Sequence, residues 1–386
     1  MRVCVIYDCL FPYTVGGAER WYRSLAERLA ADGHDVAYVT LRQWPRGVDP
    51  DVPGVDVRVV GPRMHLYSGP GRRRILPPLV FGAGVLWHLL RHGRRYDVVH
   101  TCAFPYFSLL AAALSRPRSR YRLVVDWFEV WSPSYWREYL GRAGGYVGVL
   151  VQRLCARVPQ NAFCFSRLYA ARLRAEGLRG EITMLPGAYG GPLAARPWRE
   201  PEPMIVFAGR HIPEKRVPAI PPAVARARTH IPELRAAILG DGPERGEVER
   251  LVAALDLGAA IEVPGFVAAE TVQEVIARAL CLVLPSRREG YGLVVIEAAA
   301  AGTPSVVVAG SDNAAVELVS EGENGFIAPS ESPEDLAAAI VRVHEAGPAL
   351  RRSTAAWFGR NAQRLSLGAS LEIVLGAYGH GLSARS

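Results

Sequence analysis

PSRREGYGLVVIEAAAAGTP, residues Pro285–Pro304, opens as a loop with two glycines and continues as an apolar helix that runs without a break to Gly302. The short apolar run Leu282–Leu284 before it reads as a buried strand. A strand, a loop and a helix in that order form the repeating unit of a parallel sheet. Gly290 and Gly292 let a backbone approach a ligand closely, because a residue without Cβ reaches positive φ. The helix then begins near Gly292–Leu293 with unpaired N–H groups and the positive end of its dipole, a ready anion site. Glu289 lies in the loop; Glu297 lies one turn into the helix and returns to the face of Leu293. Val294, Val295, Ile296 and a run of alanines surround Glu297, a setting in which a solvated charge is not expected. Amides cradling an anion, with carboxylates placed to accept hydroxyl hydrogen bonds, suit a phosphorylated sugar. The plain alternative is a strand, loop and helix with one surface and one capping glutamate.

The same alternation fills the rest of the chain. Val3–Ile6, Val36–Thr40, Val57–Val60, Val98–His100 and Leu123–Val125 read as strands. Helical patterns over Ala18–Ala31, Leu79–Leu90 and Tyr106–Leu114 lie between them. A proline- and charge-rich stretch, Ala195–Pro203, interrupts the pattern, which restarts with strands at Met204–Ala208, Ala237–Leu239, Ile261–Val263, Leu282–Leu284 and Ser305–Val308. The expectation is an α/β chain with two doubly wound, Rossmann-like domains facing each other across a cleft at their strand C-termini. The expected boundaries are an N-terminal domain at 1–195, a linker at 196–203, a C-terminal domain at 204–360, and a final helical stretch at 361–386 that returns to the first domain.

At 386 residues, half of them apolar, the chain has the length of two globular domains. Its six cysteines show no paired metal-ligand spacing and are too sparse for a disulfide framework, so reduced thiols in the cytoplasm are expected. The first strand, interrupted by Asp8, does not read as a signal peptide, and Pro77, Pro78 and His88 break the most apolar window. The formal charge is +8, but of 45 basic residues 44 are arginine and only Lys215 is lysine. That bias reads as codon pressure in a GC-rich bacterial genome. The arginines are scattered, which argues against nucleic acid as a partner. Lys215 is the informative cation, since a compact ammonium and a planar guanidinium are not interchangeable where a point charge is needed.

Gly209-Arg210 follows the strand Met204–Ala208, with Lys215 five residues after Arg210. Two cations at a strand's C-terminal end can clamp a diphosphate and offset charge on it as it leaves. This pattern, together with Glu289-x7-Glu297, the Gly240-Asp241-Gly242-Pro243 turn and Gly16-Gly17-Ala18-Glu19, resembles the retaining glycosyltransferases of family four, which have the GT-B fold.

The resemblance implies that Arg210 and Lys215 bind the nucleotide diphosphate, Glu289 the donor-sugar hydroxyls and Glu297 the ribose. It places the base against the backbone of Gly265-Phe266, and Gly16 and Gly17 beside the donor phosphates or the acceptor. Gly209, Gly290, Tyr291, Gly292 and Leu293 complete the donor site. Glu289, Arg210, Lys215 and His100 are then the catalytic candidates, and no metal or other cofactor is implied. Where members carry His-x-His, this chain reads His100-Thr101-Cys102, and His100 is either a sugar contact or a residue tucked beneath the site. A thiol replaces an imidazole poorly as donor or acceptor. The family's usual Gly-Gly near the second-domain site reads Gly310-Ser311-Asp312-Asn313.

Asp126-Trp127-Phe128-Glu129-Val130-Trp131 supplies aromatic faces and a carboxylate, which suit a sugar site as well as they fill a core. Glu129, Trp131 and Cys102 are the acceptor candidates. Arg72-Arg73-Arg74 ahead of the apolar helix suits either peripheral contact with the inner face of an anionic membrane or a plain basic loop. The expected activity is transfer of a hexose-type sugar from a nucleotide-sugar donor, with UDP the default nucleotide, to a hydroxyl acceptor in envelope or polysaccharide assembly. Glycosylation of a secondary metabolite is the alternative acceptor reading. A nucleotide-sugar-binding protein without activity and a phosphorylase-like enzyme with pyridoxal phosphate on Lys215 are the rivals of other classes. A dinucleotide dehydrogenase is disfavoured, because no Gly-x-Gly-x-x-Gly follows the first strand.

Overall fold

Runs of β-branched and aliphatic residues too short for helices form the strands of two parallel sheets covered by helices, so the central strands are buried on both faces while the edge strands Val55–Val59 and Ile261–Gly265 keep exposed residues. The computed structural model describes residues 1–45, 47–66, 73–194 and 199–379. One compact unit comprises residues 1–68, 72–186 and 367–386, and the other 69–71 and 187–366.

The first unit contains β1 (Arg2–Ile6), α1 (Gly17–Ala31), β2 (Asp35–Thr40), β3 (Val55–Val59), α2 (Leu76–His92), β4 (Val98–Cys102), α3 (Phe107–Ser119), β5 (Arg122–Trp127), α4 (Pro133–Ala156), β6 (Asn161–Cys164), α5 (Arg167–Ala175) and β7 (Ile182–Met184). Its strand order is β3-β2-β1-β4-β5-β6-β7. The second unit contains β8 (Met204–Ala208), α6 (Ile220–Ala227), β9 (Arg235–Leu239), α7 (Arg245–Ala254), β10 (Ile261–Gly265), α8 (Ala269–Arg278), β11 (Cys281–Leu284), β12 (Arg288–Glu289), α9 (Leu293–Ala300), β13 (Ser305–Val308), β14 (Asp312–Asn313), β15 (Gly325–Ala328) and α10 (Pro333–Leu365). Its main sheet is ordered β10-β9-β8-β11-β13-β15, and β12 pairs separately with β14. The last helix, α11 (Leu367–Gly379), belongs to the first unit.

Both sheets reverse their winding beside the first strand, at β1/β4 and at β8/β11. At such a switch point the loops from the strand C-termini diverge to opposite faces and leave a crevice. In the second unit the loops so placed are those carrying Gly209-Arg210 and Ser286–Gly292; in the first they are those carrying Asp8 and Cys102.

The chain passes between the units at Pro186/Gly187 and at Ser366/Leu367, whereas the proline-rich stretch had placed the change at 196–203. Residues 195–198 of that stretch lie outside the described residues. Two helices are longer than their apolar patterns. α2 begins at Leu76 because Pro77 and Pro78 occupy its first turn, where a missing N–H costs nothing. α3 runs through Pro117 in its last turn, where one backbone bond is lost, and stops at Arg120, which is left-handed at φ 62°. No helix among the described residues is long and apolar enough to cross a membrane.

His88 faces the core from α2, with Nε2 at 2.8 Å from the Tyr96 hydroxyl. Burial pushes its pKa down to about 4, with a smaller contribution from His92. The unfolded chain therefore takes up a proton near pH 6.5 that the folded chain refuses, so stability from this group is present above pH 6.5 and lost as pH falls toward 4. Wild type should lose on the order of 2 kcal/mol more than His88→Gln across that window, allowing for solvent screening, read as unfolding free energy against pH.

Candidate active site

In the second unit the loops that follow β8, β9 and β10 close on one another. Gly209 N donates to Leu239 O at 3.1 Å and Gly240 N to Gly265 O at 2.9 Å. Gly240 has φ +118°, and a Cβ there would lie 1.9 Å from the Gly209 carbonyl oxygen, so only glycine permits this approach. Arg210 leaves the loop exposed to solvent. Next to it the His211 ring is buried against Phe207, and desolvation lowers its pKa.

The chain then makes a tight turn, with Lys215 N donating to Ile212 O at 2.8 Å, and this aims the ammonium at Glu289. Lys215 Nζ and Glu289 Oε1 form an ion pair, and Ser286 Oγ donates to the same oxygen at 2.8 Å. The carboxylate is held from behind. Glu289 pairs with Asn313 across β12 and β14, and Asn313 Nδ2 donates to Ser286 O at 2.9 Å and Val308 O at 2.8 Å. Asn313 Oδ1 accepts from Ala315 N at 3.0 Å. The residue read as a departure from the family's glycine pair is thus a buried staple for the Glu289 loop. Arg287 N to Glu214 O at 2.9 Å and Arg288 to Glu214 at 3.4 Å tie the Lys215 and Glu289 loops together.

Gly292 caps α9 at φ +97°, and a Cβ there would meet the Ala315 Cβ at 2.7 Å. Val295, Ile296 and Ala298–Ala300 pack inward, whereas Leu293, Val294 and Glu297 form a half-exposed stripe with Gly290 and Tyr291 just before it. Glu297 therefore does not sit among buried apolar side chains as its sequence neighbours suggest; the helical period turns it outward onto the Leu293 face. Gly265, at φ +84°, ends β10 beneath Phe266, whose ring is 75% exposed.

In the first unit Gly16 and Gly17 start α1. A Cβ on Gly16 would lie 2.3 Å from Glu19 Oε2, so the Glu19 carboxylate folds back over the helix start, where an anion would have to displace it. His100 is completely buried. Its Nδ1 lies 2.5 Å from the Tyr378 hydroxyl on α11, its Nε2 lies 2.9 Å from Asp126 Oδ1 but out of line for a hydrogen bond, and the rings of Tyr22, Phe163 and Tyr378 surround it. With Nδ1 on the Tyr378 hydroxyl and no exposed surface, His100 fits the structural of its two readings.

Cys102 is also buried, and desolvation pushes its thiol pKa well up, with Asp126 adding to the shift. A protonated thiol without exposed surface is a poor acceptor contact. Trp131 fills core rather than lining an opening, with rings of Phe104, Tyr135, Trp136 and Tyr139 at 4.5–5.2 Å. Its indole N–H donates to Glu129 Oε2 at 2.8 Å, and only Glu129 of the three acceptor candidates keeps part of its surface. Of the basic run, Arg72 lies outside the described residues, and Arg73 turns inward to pair with the buried Asp8 while its amide donates to the Tyr139 hydroxyl at 2.8 Å. Sequence reading had no signal for that pair, since 65 residues separate its members.

Most of the chain matches known protein families. Residues 194–364 match the family described as glycosyl transferases group 1, and residues 16–188 match the glycosyl transferase 4-like domain. Among curated relatives, an MMP alpha-(1->4)-mannosyltransferase of Mycolicibacterium hassiacum is 26% identical over 87% of this chain and 88% of its own length. An alpha-D-kanosaminyltransferase of Streptomyces kanamyceticus is 30% identical over 40% of this chain, and the match spans only 39% of that relative. An exopolysaccharide phosphotransferase of Streptomyces coelicolor is 36% identical over 36% of this chain, and there the match spans 14%. Among solved structures, sucrose-phosphate synthase from Thermosynechococcus elongatus superposes with a TM-score of 0.81 at 21% identity, covering all of both chains. Anabaena Alr3699/HepE in complex with UDP gives 0.73 at 18% identity, covering 98% of this chain and 99% of that one. The chain belongs to the group 1 glycosyltransferases of the family 4 kind, with the GT-B fold.

Proposed function

We propose that the protein transfers a hexose-type sugar from a nucleoside diphosphate donor to a hydroxyl acceptor with retention at the anomeric carbon. The observation that carries this reading is the Lys215–Glu289–Ser286 cluster beside the N-terminus of α9 at a sheet switch point. Lys215 and Arg210 meet the diphosphate; as it approaches, its oxygens compete with Glu289 for the ammonium, and Glu289 turns to the sugar hydroxyls. The bond between the anomeric carbon and the phosphate oxygen breaks with its electron pair going to phosphate. The acceptor oxygen then attacks from the same face, and its proton passes to the departing phosphate oxygen. Cations and helix amides stabilise the charge that develops there, so the reading calls for no metal. Phe266 offers its exposed ring to the base and Glu297 its carboxylate to the ribose.

UDP is the proposed nucleotide, supported by the family neighbour seen with UDP. A polysaccharide or envelope-glycan acceptor is proposed on the kind of relatives matched. The test is nucleoside diphosphate release from UDP-, GDP-, ADP- and dTDP-sugars in the absence of acceptor. Slow release from one nucleotide class, UDP expected, supports the reading. If no donor is turned over and none raises the melting temperature, a non-catalytic role replaces it.

A further inference from the structure

The first unit carries a second concentration of charge, at the edge of its sheet where the strands begin. Asp97, just before β4, marks that edge: its Oδ2 accepts from Arg2 N at 2.7 Å, and its carbonyl accepts from Arg122 N at 3.0 Å. Gly16, Gly17 and Cys102 lie at the opposite edge, where parallel strands end. A cavity of roughly 810 Å³ opens here, lined by Arg116, Arg120, Arg122 and Arg157 and floored by apolar groups of Ala113, Pro117 and Val158.

The four guanidiniums come from different places. Arg116 is in the last turn of α3, Arg120 is the left-handed residue after it, Arg122 opens β5, and Arg157 follows α4. Two are fixed by carbonyls: Arg116 Nη1 donates to Pro159 O at 2.5 Å, and Arg122 Nη1 donates to Ala377 O at 2.7 Å and Tyr378 O at 2.8 Å. Those bonds use one nitrogen of a group that presents five N–H donors. None of the four forms an ion pair with a carboxylate among the described residues. The one acidic group in the lining, Asp97, already accepts a backbone amide. Four like charges around one cavity repel each other, and an oxyanion that accepts paired N–H bonds relieves that repulsion.

From the mouth of the cavity an apolar stripe of Leu154, Leu150, Val147 and Tyr146 runs outward along α4, each residue at least 48% exposed. The inward face of the same helix is built from Gly145, Gly148, Gln152 and Cys155. Beyond its buried first-turn aromatics Tyr135 and Trp136, the helix thus keeps small and polar residues inside and large apolar ones outside.

We propose that this cavity is a binding site for a phosphoester anion with an apolar part, apart from the candidate donor site. That chemistry is shared by a phosphorylated metabolite and by the headgroup of an anionic lipid, and the experiment separates them. The full-length protein is titrated calorimetrically with inorganic phosphate and with glycerol 3-phosphate, and is co-sedimented with phosphatidylglycerol–phosphatidylcholine vesicles and with pure phosphatidylcholine vesicles. Every arm is repeated in Lys215→Ala, so that phosphate held at the donor residues is subtracted. Binding of the soluble phosphates identifies a metabolite; binding to the anionic vesicles alone identifies a lipid headgroup. In either case Arg120→Gln/Arg157→Gln, two exposed side chains, should weaken binding about tenfold or more while leaving the melting temperature in place. Arg142→Gln, an exposed arginine outside the cavity, should leave binding unchanged. If neither ligand class binds, or the double variant binds within twofold of wild type, the site does not exist and the arginines serve only the carbonyl ends of α3 and α4.

Discussion

Lys215→Ala should lower kcat with saturating donor by about a hundred- to a thousandfold, the usual cost of removing one preorganised group that stabilises developing charge. The ammonium is held by its turn and by Glu289, and in the proposed reaction it is in place before the diphosphate departs. Lys215→Arg should not rescue it, because a planar guanidinium cannot replace a compact ammonium at the Glu289 oxygen that also accepts from Ser286. Removing the lysine also leaves Glu289, 8% exposed, without its counter-ion, so some stability should be lost as well. Glu289→Gln separates the two effects: it keeps the Ser286 contact and the lysine, and should raise donor KM and lower kcat with little change in melting temperature. A Lys215→Ala enzyme that keeps kcat within threefold of wild type would refute the assignment.

Asp126→Ala should destabilise the first unit by about 3–5 kcal/mol, the range for removing one member of a buried charged network. Asp126 is completely buried at the end of β5, accepts from Trp21 Nε1 at 2.7 Å through one oxygen, and lies 2.9 Å from His100 Nε2 through the other. Truncation leaves the buried Trp21 indole N–H without its acceptor and strips the carboxylate from beside the His100 Nε2, while His100 keeps only its Tyr378 contact. Asp126→Asn preserves the shape and should cost less than half as much. Denaturant unfolding of the three proteins decides it, and a loss under 1 kcal/mol for the alanine variant would show that the network contributes little. Donor release should persist in folded Asp126→Asn protein, since His100 is completely buried.

The strand–loop–helix at Pro285–Pro304 was legible because its period and its glycines report local geometry. Gly292 takes the positive φ expected of it, and α9 starts where the apolar run does. What the sequence hid was long-range. That Lys215 meets Glu289, 74 residues on, depends on two loops meeting at the β8/β11 switch point. Asn313 looked like a departure because its role is to accept and donate toward backbone groups distant in sequence. Asp8 and Arg73 are invisible as a pair for the same reason. α4 escaped because over its second half the large apolar residues Tyr146, Val147, Leu150 and Leu154 face outward, so hydrophobic period gave no inward stripe to read there. His100 stayed ambiguous because its partner, Tyr378, lies 278 residues away.

The position of α11 sets the order in which this protein can mature. The seven-stranded sheet is complete once Met184 has been translated, yet the Tyr378 hydroxyl that meets His100, and the carbonyls that hold Arg122, come only after the whole second unit has been made. On a ribosome the first unit therefore waits, assembled but with an open seam beneath β4 and β5, while the second is synthesised and folds. The unit that begins the chain is the last to be sealed.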